Sequence, residues 1–411
     1  MKKILYTCFM LAVVLLTACT SEVDDVFDKT ASERIEETLA ADLAVLRSAA
    51  NGWAMQYYPS ATREYGGFTM LVSFGADGKA RVSCDEFFDI DKVSESLYEV
   101  KQSMGPMLTF DTYNDIFHFF SNPANPMGLG DKGEGMAGDY EFFIEECSAE
   151  KVVLKGRKTG NKIVMTPIPE GEKWTDYLGK IKNVRDEAYV ASYDVIVGSD
   201  VHYTITQRYR KFILANADGS QEELPFIYTT DGIKFYEPVS MAGQTVQEMK
   251  WNNTAAEYEG GNVKIKAQAL PAGYARYADF AGDYVLVYGN NSQKAVTLEP
   301  EMFNESFIMK GYTYDIRVRY NSTSGTISIQ PQNLDGSIYL CAWAYDSGGY
   351  LTNQADVAGM TGQMQNYQGR NIIIFEDNGT WNYPVDSFIG YDLSTGESVF
   401  SIVYLSGMIK L

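Results

Sequence analysis

Short runs in which apolar and polar residues alternate, joined by Asp-Gly turns, occupy most of the chain after residue 53. The runs Gly67–Phe74 and Ala80–Cys84, for example, flank Asp77-Gly78. Such alternation is typical of a strand with one buried face, because successive side chains point to opposite faces. Asp-Gly supplies the backbone that a tight hairpin needs. The pattern therefore predicts a mainly β fold of antiparallel hairpins, and the 29 Tyr and 21 Phe agree with it.

One segment, from Thr30 to Ala50, predicts an amphipathic helix instead. Thr30 and Glu33 have the spacing of a capping box, in which each side chain accepts a hydrogen bond from the backbone of the other residue. Asn51-Gly52 supplies the left-handed residue that commonly ends a helix. We expect the helix to pack on a sheet through its apolar residues Ile35, Leu39, Leu43 and Leu46.

Two further segments interrupt the strands. The stretch from Asp111 to Phe120 predicts a short helix with Asp111 as its N-cap. The stretch from Trp174 to Tyr189 has a mixed pattern, and we predict only that it separates two groups of strands.

The length of 411 residues exceeds what one hydrophobic core usually serves, so several domains are expected. Turn residues cluster around Leu270–Gly273, which marks a boundary. Residues 31–272 should form an α+β domain, in which the N-terminal helix packs on antiparallel meander sheets or a barrel. This domain could consist of two subdomains, 31–170 and 171–272. Residues 273–411 should form an all-β sandwich or barrel.

The first 19 residues have the three-part build of a secretory signal: two lysines, an apolar stretch too short to span a bilayer, and small residues. The segment ends with Leu16-Thr-Ala-Cys19, and it therefore resembles a bacterial lipoprotein signal in which residues 1–18 are the signal peptide. That resemblance implies lipidation of Cys19 and anchoring in outer-membrane lipid. Residues 19–30 form a short acidic tether, similar to the signal that exports Bacteroidota lipoproteins. We therefore predict a lipid-anchored outer-membrane protein that faces the cell exterior.

Charge excludes one class of partner. The chain has 34 Lys and Arg against 54 Asp and Glu, a net charge of −20, which repels nucleic acid phosphates. The densest carboxylate run contains Asp85, Glu86, Asp89 and Asp91. Oxygen ligands at alternate positions suit calcium, but the spacing of an EF-hand is missing. We therefore predict a solvated loop here and no metal site.

Three cysteines remain after the signal and the lipidation site: Cys84, Cys147 and Cys341. They are far apart in sequence, and none has the spacing of a metal site or a redox motif. We expect buried free thiols, with a Cys84–Cys147 disulfide as the alternative.

No motif predicts catalysis or a cofactor. His118 and His202 are the only histidines, each lies beside aromatic residues, and neither GxSxG nor HExxH is present. The sequence therefore favours a protein that is not an enzyme. A glycosidase needs only two carboxyl groups that meet in the fold, so a surface hydrolase acting on glycans stays open as an alternative.

Aromatic residues in Gly- and Asn-rich segments are the remaining functional signal. Rings presented on β loops offer flat apolar platforms with polar edges, which suit stacking on sugars. The competing interpretation is that they belong to the cores of small β domains. The candidate ligand-binding residues are Trp343, Tyr345, Tyr350, Tyr367, Trp381 and Tyr383.

Several segments resemble a Bacteroidota lipoprotein family known as domain of unknown function 4302. The resemblance covers most of the chain to about residue 270 and the rest more loosely. It implies an accessory role beside starch-utilisation-type outer-membrane transporters, and it supplies no catalytic residues. The segments that carry it are Asn51–Pro59, Tyr65–Phe68, Gly105–Tyr113, Gly138–Phe142, Leu154–Gly160 and Thr230–Pro238.

Together these features predict a non-catalytic surface lipoprotein that binds a glycan or a peptide. Its expected partners are a TonB-dependent transporter and that transporter's substrate-capturing lipoprotein. Besides the hydrolase, a fimbrial or adhesin subunit that donates a strand to its neighbour is an alternative. The acidic tether and the helix at the N-terminus do not favour it, because such subunits usually release a strand there.

Overall fold

A computed structural model describes residues 29–87, 89–125, 129–130, 133–216 and 218–411. Over these residues the fold is mainly β, as the alternating pattern predicts, and no helix is long and apolar enough to cross a bilayer. The predicted signal peptide, Cys19 and the tether up to residue 28 lie outside the described residues. The helices are α1 (Ala31–Ser48), α2 (Asp115–Ser121), α3 (Trp174–Ala188) and α4 (Tyr277–Phe280).

The first β unit, here called the N-terminal sheet, has nine antiparallel strands in the order β4-β3-β2-β1-β9-β8-β7-β6-β5. Its two edge strands follow each other along the chain with only Tyr98 between them, so the sheet curls back on itself. The ring of Tyr98 is buried against Phe74 inside the curl. The strands are β1 (Trp53–Tyr57), β2 (Phe68–Phe74), β3 (Lys79–Cys84), β4 (Ser94–Leu97), β5 (Glu99–Gln102), β6 (Pro106–Thr109), β7 (Glu141–Cys147), β8 (Val152–Gly156) and β9 (Lys162–Pro167).

Helix α1 covers this sheet only with its C-terminal half. The predicted capping box is present, with Thr30 as the N-cap and Glu33 as its partner. Of the predicted apolar stripe, however, only Leu46 is buried, while Leu39 and Leu43 are half-buried and Ile35 is exposed. The prediction that this stripe packs on a sheet is therefore confirmed for the C-terminal half of α1, where Leu43 and Leu46 join the core, and is wrong for Ile35.

Helix α2 begins later than predicted. Its N-cap is Asn114, whose side-chain oxygen accepts hydrogen bonds from the amides of Ile116 and Phe117. Asp111 instead lies before the helix, where its carboxylate accepts a hydrogen bond from the Thr109 hydroxyl. The capping prediction for Asp111 is wrong, because both residue types cap well and only the packing of the Phe-rich turn selects between them.

Helix α3 leads into a second unit, the middle barrel, which is closed by pairing of its first and last strands. The segment that the sequence left unassigned is thus a 15-residue helix. The strands are β10 (Ser192–Val197), β11 (Asp200–Arg208), β12 (Lys211–Ala215), β13 (Gln221–Tyr228), β14 (Gly232–Met241), β15 (Gln244–Asn252), β16 (Glu257–Gly260) and β17 (Val263–Ala267).

The third unit contains a second closed barrel, the C-terminal barrel, and a five-stranded C-terminal sheet that shares its core. The barrel is formed by β18 (Gly282–Tyr288), β19 (Ser292–Met302), β20 (Ser306–Lys310), β21 (Ile316–Asn321), β22 (Thr326–Ile329), β26 (Met360–Tyr367), β27 (Arg370–Asp377) and β30 (Leu405–Lys410). The sheet is formed by β23 (Gln332–Asp335), β24 (Ile338–Ala344), β25 (Tyr350–Thr352), β28 (Ser387–Asp392) and β29 (Glu397–Ile402).

The N-terminal sheet joins the middle barrel at the start of β2. The Gly67 amide donates to the Phe226 carbonyl at 2.9 Å, and the Arg210 guanidinium donates to the Gly67 carbonyl at 2.8 Å. The C-terminal unit contacts the end of helix α3 through Arg276, which donates to the Glu187 carbonyl at 2.8 Å. The bonds to Gly67 and Phe226 satisfy backbone groups that would otherwise be buried without partners.

The three cysteines of the described chain are free thiols. Cys84 and Cys341 are buried, as predicted, whereas Cys147 is half-buried, with its thiol facing the Asp42 carbonyl on α1. Burial raises the pKa of the Cys147 thiol to about 12, so it stays protonated and unreactive.

Candidate functional site

Five of the six candidate aromatic residues come together at one edge of the C-terminal sheet. They lie on β24 or directly after it, on β25, and on the segment that joins β27 to β28. Tyr367 lies elsewhere, at the tip of the β26–β27 hairpin in the C-terminal barrel. The hairpin of β24 and β25 is the frame of this site, and its turn contains Gly348 and Gly349, both with positive φ.

The first cluster, here called the outer ring group, consists of Trp343, Tyr345 and Tyr404. The rings of Trp343 and Tyr345 meet edge to face with centroids 4.7 Å apart, and Tyr345 meets Tyr404 in the same way at 5.4 Å. Edge-to-face packing is the favoured geometry between aromatic rings, and it fixes their orientation. Tyr345 and Tyr404 remain exposed.

The second cluster, the stacked ring group, consists of Tyr350, Trp381 and Tyr383. Tyr350 stacks on Tyr383 with centroids 4.1 Å apart and planes at 21°, and Trp381 meets Tyr383 edge to face at 5.2 Å. Tyr350 is nevertheless 48% exposed, so one face of its ring lies open while the other is supported. Trp381 also packs on the core, which anchors the group.

Register places the two groups on opposite faces of the β24–β25 hairpin. Trp343 pairs with Leu351, and Ala344 pairs with Tyr350. Paired residues point to the same face and successive residues alternate, so Tyr350 and Trp343 emerge on different sides. The rings therefore flank the sheet edge that β25 forms.

Two carboxylates hold the loops that carry these rings. Asp386 accepts hydrogen bonds from the amides of Tyr345 and Asp346, both at 3.0 Å. Asp377 accepts hydrogen bonds from the amides of Gly379 and Val385 at 3.0 and 2.9 Å. Hydrogen bonds from amides to an ionised carboxylate are stronger than neutral ones, so both loops are fixed in place before any ligand arrives.

A third carboxylate lies within the outer ring group. The Tyr404 hydroxyl donates to Asp346 Oδ1 at 2.6 Å. This hydrogen bond and the charge of Asp346 raise the pKa of Tyr404 to about 12. The hydroxyl therefore stays protonated, and the group presents rings beside fixed hydrogen-bond acceptors, an arrangement that suits a polar ligand with apolar faces.

A cavity of about 1190 Å³, here called the junction cleft, lies between the N-terminal sheet, helix α3 and the C-terminal unit. Residues after β3, the C-terminal half of α3 and the strand β19 line it. Arg210 contacts Asp85 at 2.7 Å and Glu86 at 3.0 Å, and Arg185 contacts Glu86 at 2.6 Å. The guanidinium of Arg185 also lies 3.8 Å from the ring centroid of Phe303.

These ion pairs correct the prediction of a solvated loop at Asp85 and Glu86. The Asp85 side chain has no exposed surface, and Glu86 is 13% exposed. Asp89 is exposed as predicted. Burial acts to raise the pKa of Glu86, but the charges of Arg185 and Arg210 outweigh it, so the net direction is downward. No group of three or more metal-binding side chains is found among the described residues.

Sequence reasoning missed Tyr404 and the two arginines of the junction cleft. Tyr404 follows a strand and has no turn-rich context, so only the ring contact in the folded chain shows that it reaches Tyr345. Arg185 and Arg210 each look like ordinary exposed cations of a helix and a turn. Their partners Glu86 and Asp85 lie 99 and 125 residues away in the sequence, and no local pattern reports such a pairing.

Comparison with known proteins gives two family matches. The model of a domain of unknown function, DUF4302, matches residues 23–253, and the model of a second domain of unknown function, DUF4987, matches residues 257–390. The boundary between them falls within the middle barrel, whose strands β16 and β17 lie in the second match. No curated protein matches the chain.

Two solved structures align with 88% of the chain. One is a mutant of transferrin binding protein B from Haemophilus parasuis Hp5, at 10% identity over 75% of that chain with a TM-score of 0.14. The other is intact Ap-TbpB with its N and C lobes, at 9% identity over 76% of that chain with a TM-score of 0.14. Overlap this weak supports no statement about fold or function.

Proposed function

This chain belongs to the DUF4302 family, and we propose that it is a non-catalytic protein that captures glycans through its C-terminal sheet. The observation that carries the proposal is the exposed ring of Tyr350, held flat by Tyr383 beneath it at 4.1 Å. A sugar presents C–H groups on one face, which the negative face of an aromatic ring attracts. A ring that is already immobilised loses little conformational entropy when it binds.

The outer ring group extends this surface to the other side of the sheet edge. A glycan chain that crosses the β24–β25 hairpin touches Tyr350 on one side and Tyr345 on the other. The carboxylates of Asp346 and Asp386 lie beside the outer rings and accept hydrogen bonds, which sugar hydroxyls can donate. A peptide could use the rings but would leave fewer of these acceptors satisfied, so we favour a glycan.

The proposal includes the cellular location of the protein. Lipidation of Cys19 would anchor the protein in the outer membrane of a Bacteroidota bacterium, facing the exterior. There it would pass a captured glycan, or a peptide, to a TonB-dependent transporter and its substrate-capturing lipoprotein. Labelling cells with palmitate should mark the wild-type protein and leave the Cys19→Ala variant unmarked. Labelling of both would refute the anchor without touching the glycan site.

The first prediction concerns the stacked ring group. Soluble protein, residues 20–411, should bind at least one polysaccharide on a glycan array, and Tyr350→Ala should weaken that binding about tenfold, the usual loss at a hot-spot aromatic residue. Tyr367→Ala is the matched control, because Tyr367 is also an exposed hairpin tyrosine, at 62%, but lies outside both groups. Isothermal titration gives the affinities. Equal losses in the two variants would refute the site.

One observation favours hydrolysis in the junction cleft as a second function. Glu86 and Asp186 contact the same guanidinium, that of Arg185, at 2.6 and 2.8 Å. Burial raises the pKa of Asp186, whereas the net direction for Glu86 is downward. Two carboxyl groups whose pKa values move apart are what a glycosidase needs for its acid and its base. Sugar release that Glu86→Gln and Asp186→Asn both abolish would establish this function in place of simple capture.

A further inference from the structure

The segment that carries both ring groups is acidic. From residue 338 to residue 406 the sequence contains seven carboxylate side chains and a single basic one, Arg370. Arg370 lies at the tip of the β26–β27 hairpin, opposite Tyr367 and away from the sheet edge. The carboxylates are Asp346, Asp356, Glu376, Asp377, Asp386, Asp392 and Glu397.

Three of these carboxylates are fixed at the ring groups themselves. Asp346 accepts the Tyr404 hydroxyl, Asp386 accepts two amides at the base of the Tyr345 loop, and Asp377 accepts two amides of the loop that carries Tyr383. Their partners among the described residues are neutral hydroxyl and amide groups, and none forms an ion pair with Lys or Arg. Apart from these hydrogen bonds, no Lys or Arg of the described residues is paired with them.

We infer that this site selects uncharged glycans and rejects those that carry uronic acid or sulfate groups. The inference rests on the proposed glycan-binding function and names its ligand class. A neutral sugar can donate hydroxyl hydrogen bonds to the fixed carboxylates. An acidic sugar on the same rings brings its own negative charge within a few ångströms of them, and like charges side by side in an interface penalise the wrong partner.

The test compares pairs of glycans that share a backbone and differ in charge: xylan with glucuronoxylan, and galactan with its sulfated form. We expect the charged member to bind about tenfold more weakly in about 10 mM salt, where the screening length is about 30 Å. In 0.15 M salt, where that length is about 8 Å, the gap should shrink.

Asp346→Asn sharpens the test, because it removes one charge at the rings and keeps an oxygen that can accept the Tyr404 hydrogen bond. This variant should bind the charged glycan several-fold more tightly than wild type, whereas the neutral glycan, which loses a carboxylate acceptor, should gain no affinity. Asp200→Asn is the matched control, since it removes one exposed charge at the start of β11 on the middle barrel and should change neither affinity.

The possible results distinguish the charge selectivity from the proposed glycan capture. Binding of neutral glycans only, with the charged ones recovered in Asp346→Asn, supports both. Equal or tighter binding of charged glycans by the wild-type protein overturns the selectivity and leaves glycan capture intact. Binding of neither class, with the protein folded, overturns the proposed function and this inference with it.

Discussion

At the scale of single residues, aspartates with the same chemistry do different work according to their surroundings. Asp85 is fully buried and balanced by a guanidinium, so it joins two units. Asp386 is half-buried and receives backbone amides, so it shapes a loop. Asp346 is exposed and takes the hydroxyl of a neighbouring ring. The sequence shows three aspartates, and only the fold assigns their roles.

The Asp346–Tyr404 hydrogen bond predicts an unusual titration. The ordinary pKa of tyrosine is about 10. The hydrogen bond to Asp346 raises the pKa of Tyr404 to about 12, and the negative charge of Asp346 adds to the effect. Since the folded pKa lies above the unfolded one, the bond stabilises the fold below pH 10 and this contribution is lost as the pH rises through about 12. NMR of ¹³C-labelled tyrosine, with Tyr404→Phe for assignment, should show this pKa and its fall toward 10 in Asp346→Asn. An unchanged value would show that the carboxylate is not the cause.

At the scale of elements, the sequence predicted correctly those features that depend only on residues close together in the chain. The Thr30–Glu33 capping box and the hairpin of β2 and β3 appear as predicted, because turn and cap chemistry act over a few residues. Helix α3 was missed because its pattern mixes polar and apolar residues. Its buried face, which includes Leu178 and Ile181, matches a barrel that only the whole fold creates.

The contact between the N-terminal sheet and the middle barrel requires a glycine at position 67, directly before β2, because there is no room for a side chain there. A Cβ on Gly67 would lie 2.5 Å from Cζ of Tyr58 and 3.0 Å from Cβ of Ile227. Tyr58 has little room to move, because its ring packs against Tyr236 with centroids 4.8 Å apart. Gly67→Ala should therefore lower the free energy of unfolding by about 1–3 kcal/mol through overpacking.

The control for that change is Gly105→Ala, since a Cβ on Gly105 meets nothing within 4 Å. It should alter stability by less than about 0.5 kcal/mol. Urea denaturation followed by tryptophan fluorescence measures both. If the two variants have the same midpoint, the close approach at Gly67 is not what limits this position.

At the scale of the whole molecule, the sequence predicted most of the aromatic residues of the site but not how the fold arranges them. Turn-rich context singled out Trp343, Tyr345, Tyr350, Trp381 and Tyr383, because loops that carry rings have a local signature. That these rings divide into two groups on opposite faces of one hairpin follows from strand register, which a single sequence does not specify. The junction cleft was invisible for the same reason, since its charges come from separate units.

The buried ion pairs at that junction give the last prediction. Arg210→Met removes the only guanidinium that contacts Asp85 among the described residues, and leaves a carboxylate with no exposed surface. An uncompensated buried charge typically costs about 3–5 kcal/mol of stability.

Asp85→Asn combined with Arg210→Met should recover part of this loss, because no unpaired charge then remains at Asp85. Lys79→Met breaks a half-exposed ion pair with Glu95 and should cost far less stability than Arg210→Met, because solvent screens the pair. Guanidinium denaturation of the four proteins decides the matter: if Arg210→Met is no more destabilising than Lys79→Met, the junction is held by its apolar contacts and backbone hydrogen bonds, and the arginine is dispensable.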